Sequence, residues 1–215
     1  MGETDVTSSG VVSSRRREAF GQHGTSWVDR GGIWLSSRAI RRCLPSRPGL
    51  RLLDLGCGYH AALLRTLLPQ LAAGIGIDVK VSEEARRVPG LSFLEGGIEE
   101  HLPAIPSGRF DVVTLISVLE HLDTPLPVLE HCRRALSGGG VLLVNVPTWR
   151  GKGLLELSAF RLGTSPAVEM NDHKMYYDKR DLWPLLVKAG FRPSDIRLRY
   201  HKLGLNLFAV ATHTP

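Results

Sequence analysis

Two glycines and two carboxylates stand where they could hold a nucleotide. The segment Asp54-Leu55-Gly56-Cys57-Gly58-Tyr59-His60 follows an apolar run, and Asp78 closes the next one. Glycines without a Cβ let the main chain take positive φ and let a ligand approach it closely. A carboxylate at the end of the second run can accept hydrogen bonds from both hydroxyls of a ribose. Gly56-Cys57-Gly58-Tyr59-His60-Ala61 also satisfies the dinucleotide pattern GxGxxG/A, with Asp78 at about the right distance. That pattern is weak alone, so two nucleotide-binding readings stand side by side at this point.

Proton chemistry has fewer candidates. His121 can exchange a proton near neutral pH; alternatively, it orients the loop and helix around it as part of Glu120-His121-Leu122. A second cluster, Asn171-Asp172-His173-Lys174-Met175-Tyr176-Tyr177, offers His173 as a second catalytic candidate and Tyr176 and Tyr177 as substrate contacts. The bland alternative packs Tyr176 on a closing helix and leaves His173 in solvent. The eight histidines lack the short paired spacing of a metal site, so no metal is expected. Cys57 reads as a small loop residue rather than a nucleophile.

These residues need a frame, and the apolar pattern supplies one. Strand-length apolar runs at 50–55, 73–77, 91–94, 110–116 and 141–146 alternate with helical segments at 61–68, 83–88 and 125–136. That alternation calls for a parallel sheet with helices on both faces. Open sheets of this kind bind ligands beyond the carboxyl ends of their strands, where Gly56 and Asp78 fall. The run Ser137-Gly138-Gly139-Gly140 is expected to cap the third helix. Residues 27–44 read as one or two helical segments ended by Pro45 and Pro48, residues 181–189 as a helix closed by Gly190, and 194–199 with 205–212 as two closing strands joined around 201–204. The connection 148–177 is long, contains its own apolar run at 154–162, and is expected to carry function.

At 215 residues, 43% hydrophobic and 22% charged, the chain suits one globular domain over 19–215 behind a Ser- and Gly-rich, then basic leader at 1–18 expected to be disordered. The formal charge of +6 would suit an anionic partner, nucleic acid included, but the arginines are scattered and the dense run Arg15-Arg16-Arg17 lies in the leader. A solvated basic face is the preferred reading. Three widely spaced cysteines argue against a disulfide framework and fit a cytoplasmic location. No apolar run has signal-peptide or membrane-spanning character, so a soluble protein without a membrane partner is expected.

The ordered set of motifs then separates the two nucleotide readings. Leu52-Leu53-Asp54-Leu55-Gly56-Cys57-Gly58 resembles motif I of class I S-adenosylmethionine-dependent methyltransferases, and Gly76-Ile77-Asp78 resembles motif II. Phe93 to Ile98 with Leu102-Pro103, then Phe110-Asp111-Val112-Val113 to Leu122, and Arg134-Ala135-Leu136 before the glycine run are similar to its later motifs. The resemblance covers residues 45–147 closely and implies a Rossmann-like, doubly wound α/β sheet of seven strands in the order 3-2-1-4-5-7-6, the last antiparallel. It implies S-adenosylmethionine as cofactor, with Gly56, Cys57 and Gly58 against its methionine part, Asp54 ordering the loop, Asp78 on the ribose, Val79 facing the adenine and Ser117 at the amino-acid end. Where the family often carries an acid for the adenine amino group this chain has Gly97, leaving Glu95, Glu99 or the main chain of Gly97 and Ile98 for that contact. Methyl transfer needs the acceptor in line with the sulfur and no protein nucleophile. Ile116-Ser117-Val118-Leu119-Glu120-His121 lacks the Pro-Pro and Pro-Cys signatures of nucleic-acid methylation. The expected activity is O-methylation of a small or medium-sized metabolite, with 148–177 and 23–34 as the lid. A nucleic-acid methyltransferase and a non-catalytic cofactor-binding subunit are the alternatives.

Overall fold

The computed structural model describes residues 19–22, 27–151 and 174–214, the side chains of 27–30 and 33 excepted. The leader 1–18, His23, the run 154–162 and the residues 171–173, His173 among them, lie outside the described residues.

Seven strands form one sheet in the order β3-β2-β1-β4-β5-β7-β6. They are β1 (Leu50–Leu55), β2 (Leu71–Asp78), β3 (Leu91–Glu95), β4 (Phe110–Ile116), β5 (Leu136–Pro147), β6 (Ile196–His201) and β7 (Asn206–Thr212). The pairs β1 to β5 are parallel, whereas β7 runs antiparallel to both β5 and β6. This is the order and sense that the motif resemblance implies.

The central strands are apolar on both faces because helices cover both. Leu53, Leu55, Val113, Leu115, Leu142 and Val144 pack with Val128, Leu129 and Cys132 of α5 (Pro125–Ala135) and with Leu182 and Leu186 of α6 (Lys179–Lys188). The alternate residues Leu52, Val112 and Leu143 meet Ile40 of α1 (Trp27–Arg41) and Leu64 and Leu67 of α2 (Ala62–Leu67). The period of two along a strand thus divides the core into two layers. Two single-turn helices, α3 (Glu83–Arg86) and α4 (Ile98–His101), fill the connections around β3.

Two expectations are corrected. The helix α5 ends at Ala135, and the glycine run belongs to β5: Leu136 is already extended and pairs with Phe110. Gly140 has no room for a side chain, since a Cβ there would stand 3.0 Å from the carbonyl oxygens of Phe110 and Ser137. The closing hairpin lies two residues later than expected in its first strand, because Pro193 opens a 3₁₀ turn over Pro193–Asp195.

Candidate active site

The glycine loop is set by two strands at once. Asp54 ends in the core and accepts a 2.6 Å hydrogen bond from the Thr114 hydroxyl on β4. Burial pushes its carboxyl up to about 7, the Thr114 bond working against that shift and the nearby Asp78 charge adding to it. Beyond it, the N–H groups of Gly56 and Cys57 both donate to the Ile77 carbonyl at 2.8 and 3.2 Å, so the loop folds over the end of β2. Gly56 and Gly58 both sit at φ +75°, in the left-handed region. A Cβ on Gly56 would overlap Val118 Cγ2, and one on Gly76 would meet Cys57 Sγ and the Phe93 ring at 2.8 Å. The glycines are therefore a condition for the loop, β2 and the segment after β4 to meet. Cys57 is buried, and burial followed by the charges of Asp54 and Asp78 drives its thiol far above the usual range, so it offers no thiolate.

Asp78 faces this loop. Its Oδ2 accepts from Gly58 N–H at 2.7 Å and its Oδ1 from Val79 N–H at 2.8 Å. Each carboxylate oxygen has a second lone pair, so the same carboxylate that fixes the loop can also receive ribose hydroxyls. The connection after Val79 is held by Glu95, which accepts from Val81 N–H at 2.7 Å and pairs with Arg86 at 2.5 Å. The Val81 bond is the chief reason its carboxyl lies below the ordinary range. Glu95 is thus committed to shaping the 79–82 loop, Glu99 is exposed, and Gly97 gives its N–H to Glu100 at 3.3 Å. Ile98, half-buried, follows it as the first residue of α4.

The region beyond the end of β4 is built from segments far apart in sequence. Ser117 leaves β4 at φ +56° and donates its N–H to the Asn145 carbonyl on β5 at 2.8 Å. His121, half-buried, closes the 3₁₀ turn Leu119–His121. The chain re-enters at Lys174, where Lys174 and Met175 N–H both donate to the Glu120 carbonyl and Lys174 Nζ meets Asp123 at 2.5 Å. The two sequence clusters around His121 and Tyr176 are therefore neighbours. Tyr177 lies in the core, its hydroxyl donating to the Leu119 carbonyl at 3.3 Å, and burial pushes it up to about 12. Tyr176 packs against half-exposed Trp149, ring centroids 5.5 Å apart. Both tyrosines are buried, Tyr176 beneath the half-exposed Trp149 and Tyr177 as a support beneath the turn.

Three participants carry no local sequence signal. Thr114 reads as one residue of an apolar strand. Phe20, ahead of the first helix, gives its carbonyl to Tyr59 N–H at 2.9 Å and lies over Gly58. Trp149 reads as the start of a loop. Among the described residues no helix is long and apolar enough to cross a membrane, and no cluster of His, Cys, Asp and Glu could hold a metal ion.

Comparison with known proteins agrees with this fold. A profile of the family described as methyltransferase domain matches residues 33–195. Among curated relatives, a ubiquinone biosynthesis O-methyltransferase of Xanthomonas campestris pv. campestris is 33% identical over 106 residues, which cover 46% of this chain and 43% of that protein. One of Burkholderia pseudomallei is 27% identical over 179 residues, covering 78% and 75%. The chain spans less than half the length of the Xanthomonas relative. Among solved structures, the complex between the Haloferax volcanii Trm112 methyltransferase activator and a methyltransferase gives a TM-score of 0.70 at 17% identity, over 87% of this chain and 94% of the other. A SAM-dependent methyltransferase of Archaeoglobus fulgidus gives 0.64 at 16% identity, over 88% and 95%. At such identities these two similarities carry the fold.

Proposed function

Because this chain belongs to the methyltransferase domain family, we propose that it transfers a methyl group from S-adenosylmethionine to an oxygen of a small or medium-sized metabolite. The observation that carries the proposal is the closed arrangement of the glycine loop on Asp78, with Gly58 N–H on the carboxylate and no Cβ at Gly56 or Gly58. The residues present fit the cofactor. Gly56, Cys57 and Gly58 offer main chain to the methionine part, Asp78 the ribose contact, Val79, Gly97 and Ile98 the adenine edge, and Ser117 the amino-acid end. The bound cofactor supplies an electrophilic methyl group on a sulfonium.

What the chain must do is bind, orient and exclude water, because in-line displacement gains most from alignment. The turn Leu119–His121 and the strip from Lys174 to Tyr177 border the side from which an acceptor would approach. In this reading His121, with His173 as the second candidate, takes the proton that an attacking hydroxyl loses. The relatives named O-methyltransferases support oxygen as the atom methylated and a small molecule, rather than nucleic acid, as acceptor. Three unbridged cysteines suit a reducing cytoplasm.

Calorimetric titration with S-adenosylhomocysteine tests the proposal, alongside Asp78→Ala and with NAD as control. Micromolar binding that Asp78→Ala abolishes is the expected result. Tighter binding of NAD, or none of S-adenosylhomocysteine, would overturn it.

A further inference from the structure

One edge of the sheet is β6. Among the described residues it pairs with β7 alone, so the alternate N–H and C=O groups of its other side are open to a further strand. The period of two divides its side chains between the faces. Ile196 and Leu198 pack on the α6 face, and Tyr200 joins them there, with Lys179 Nζ of α6 standing 5.2 Å from its ring centre. Arg197 and Arg199 belong to the opposite face; both are exposed, and Arg199 lies over the Phe208 ring at 5.2 Å. Beside the first face runs a cleft of about 300 Å³ lined by Lys179, Arg180, Trp183, Pro184 and Leu198. Trp183 and Tyr200 are exposed aromatic rings, and Pro184 has no N–H to give the Arg180 carbonyl one turn earlier. Residues 178–202 hold seven Lys and Arg against three Asp, and Arg180 and Arg197 meet no carboxylate among the described residues. The edge therefore attracts negative charge on one face and apolar side chains on the other.

We propose that β6 receives an extended segment of a partner protein in which acidic and apolar residues alternate. Added as a further strand, such a segment sends successive side chains to the same two faces as β6. Its apolar residues meet Leu198, Tyr200 and the cleft beside Trp183, and its carboxylates meet Arg197 and Arg199. Main-chain hydrogen bonds supply affinity, while the cleft and the arginines set the sequence preference. A second copy of this chain is the wrong occupant, because pairing two such edges brings arginine against arginine. A single strand of nucleic acid would find the two exposed rings but leave the strand edge unpaired. The surface lies two strands outward from β5, apart from the glycine loop, so the inference does not depend on the methyltransferase reading.

Fluorescence anisotropy of the full chain with a fluorescein-labelled octapeptide of alternating leucine and glutamate tests this. Wild type is expected to bind it saturably. A block peptide of the same composition, all leucines and then all glutamates, should bind at least about tenfold more weakly, because its side chains no longer sort between the two faces. Arg197→Glu combined with Arg199→Glu should weaken the alternating peptide at least about tenfold, since carboxylates then face carboxylates. Trp183→Ala should weaken it by removing a wall of the cleft. No binding to wild type, equal affinity for the two peptides, or an unchanged affinity in the double arginine variant would overturn the inference. So would tighter binding of oligothymidylate that displaces the peptide, which would make the surface a nucleic-acid site.

Discussion

Gly56 and the Val118 side chain compete for one place. With φ at +75° and no room for a Cβ, Gly56→Ala combines backbone strain with a clash. The left-handed conformation alone costs about 1–2 kcal/mol for an L-residue. The variant should bind S-adenosylhomocysteine at least about tenfold more weakly, since 1.4 kcal/mol corresponds to a factor of ten. Adding Val118→Ala should recover part of the loss, as calorimetry on the single and double variants would reveal. Asp54 makes a different prediction. Its carboxyl lies near 7 in the fold against an ordinary value of 3.8, so the unfolded chain releases a proton that the fold retains. Stability therefore falls as pH rises from about 4 to about 7 and levels off above that. Asp54→Asn keeps an acceptor for Thr114 and removes the charge. It should melt above wild type at pH 8 and with wild type near pH 4; a difference independent of pH would contradict the argument.

The 79–82 loop is an element whose shape depends on one carboxylate. Glu95→Gln keeps an oxygen for Val81 N–H and gives up the ion pair with Arg86, which is exposed and worth little. Glu95→Ala removes both. The alanine variant should lose about tenfold in affinity for S-adenosylhomocysteine, about 1.4 kcal/mol for one charge-assisted bond, whereas the glutamine variant stays within about twofold. Equal losses would mean that the ion pair shapes the loop. The β6–β7 turn is strained in another way: Lys202 and Leu203 both have positive φ, and Leu203 is fully exposed. Leu203→Gly removes no buried contact there and should stabilise the chain by about 1 kcal/mol in chemical denaturation. Elements of this size were legible where their signal is local. The apolar runs of β1, β4 and β5, and the glycine loop with Asp78, follow from residues adjacent in sequence. The glycine run inside β5 misled because its role depends on the Phe110 carbonyl across the sheet. Likewise Thr114 acquires its role only from the partner that topology brings beside it, and a strand pattern treats it as an interruption of apolar sequence.

At the scale of the whole molecule, the chain crosses its own glycine loop before the sheet begins. Residues 19–22 form a small turn, with Gln22 N–H on the Ala19 carbonyl at 3.1 Å and Ala19 itself buried. The Phe20 carbonyl in that turn receives Tyr59 N–H at 2.9 Å, and Phe20 lies over Gly58. From there α1 crosses one face of the sheet and β1 returns as its central strand, so residues 19–22 close on the turn that β1 leads into. Sealing a ligand loop from outside acts on escape more than on entry, because encounter is set by diffusion and most affinity differences appear in dissociation. A chain lacking residues 1–22 leaves Tyr59 N–H without its carbonyl and uncovers Gly58. One lost hydrogen bond and the uncovered loop together amount to about 1.4 kcal/mol, or tenfold. That factor should appear in the dissociation rate of S-adenosylhomocysteine measured by stopped flow, with the association rate unchanged. Phe20→Ala keeps the carbonyl and should show a smaller rise. If the truncated chain released the ligand at the wild-type rate, the turn would be packing on the loop without retaining what the loop binds.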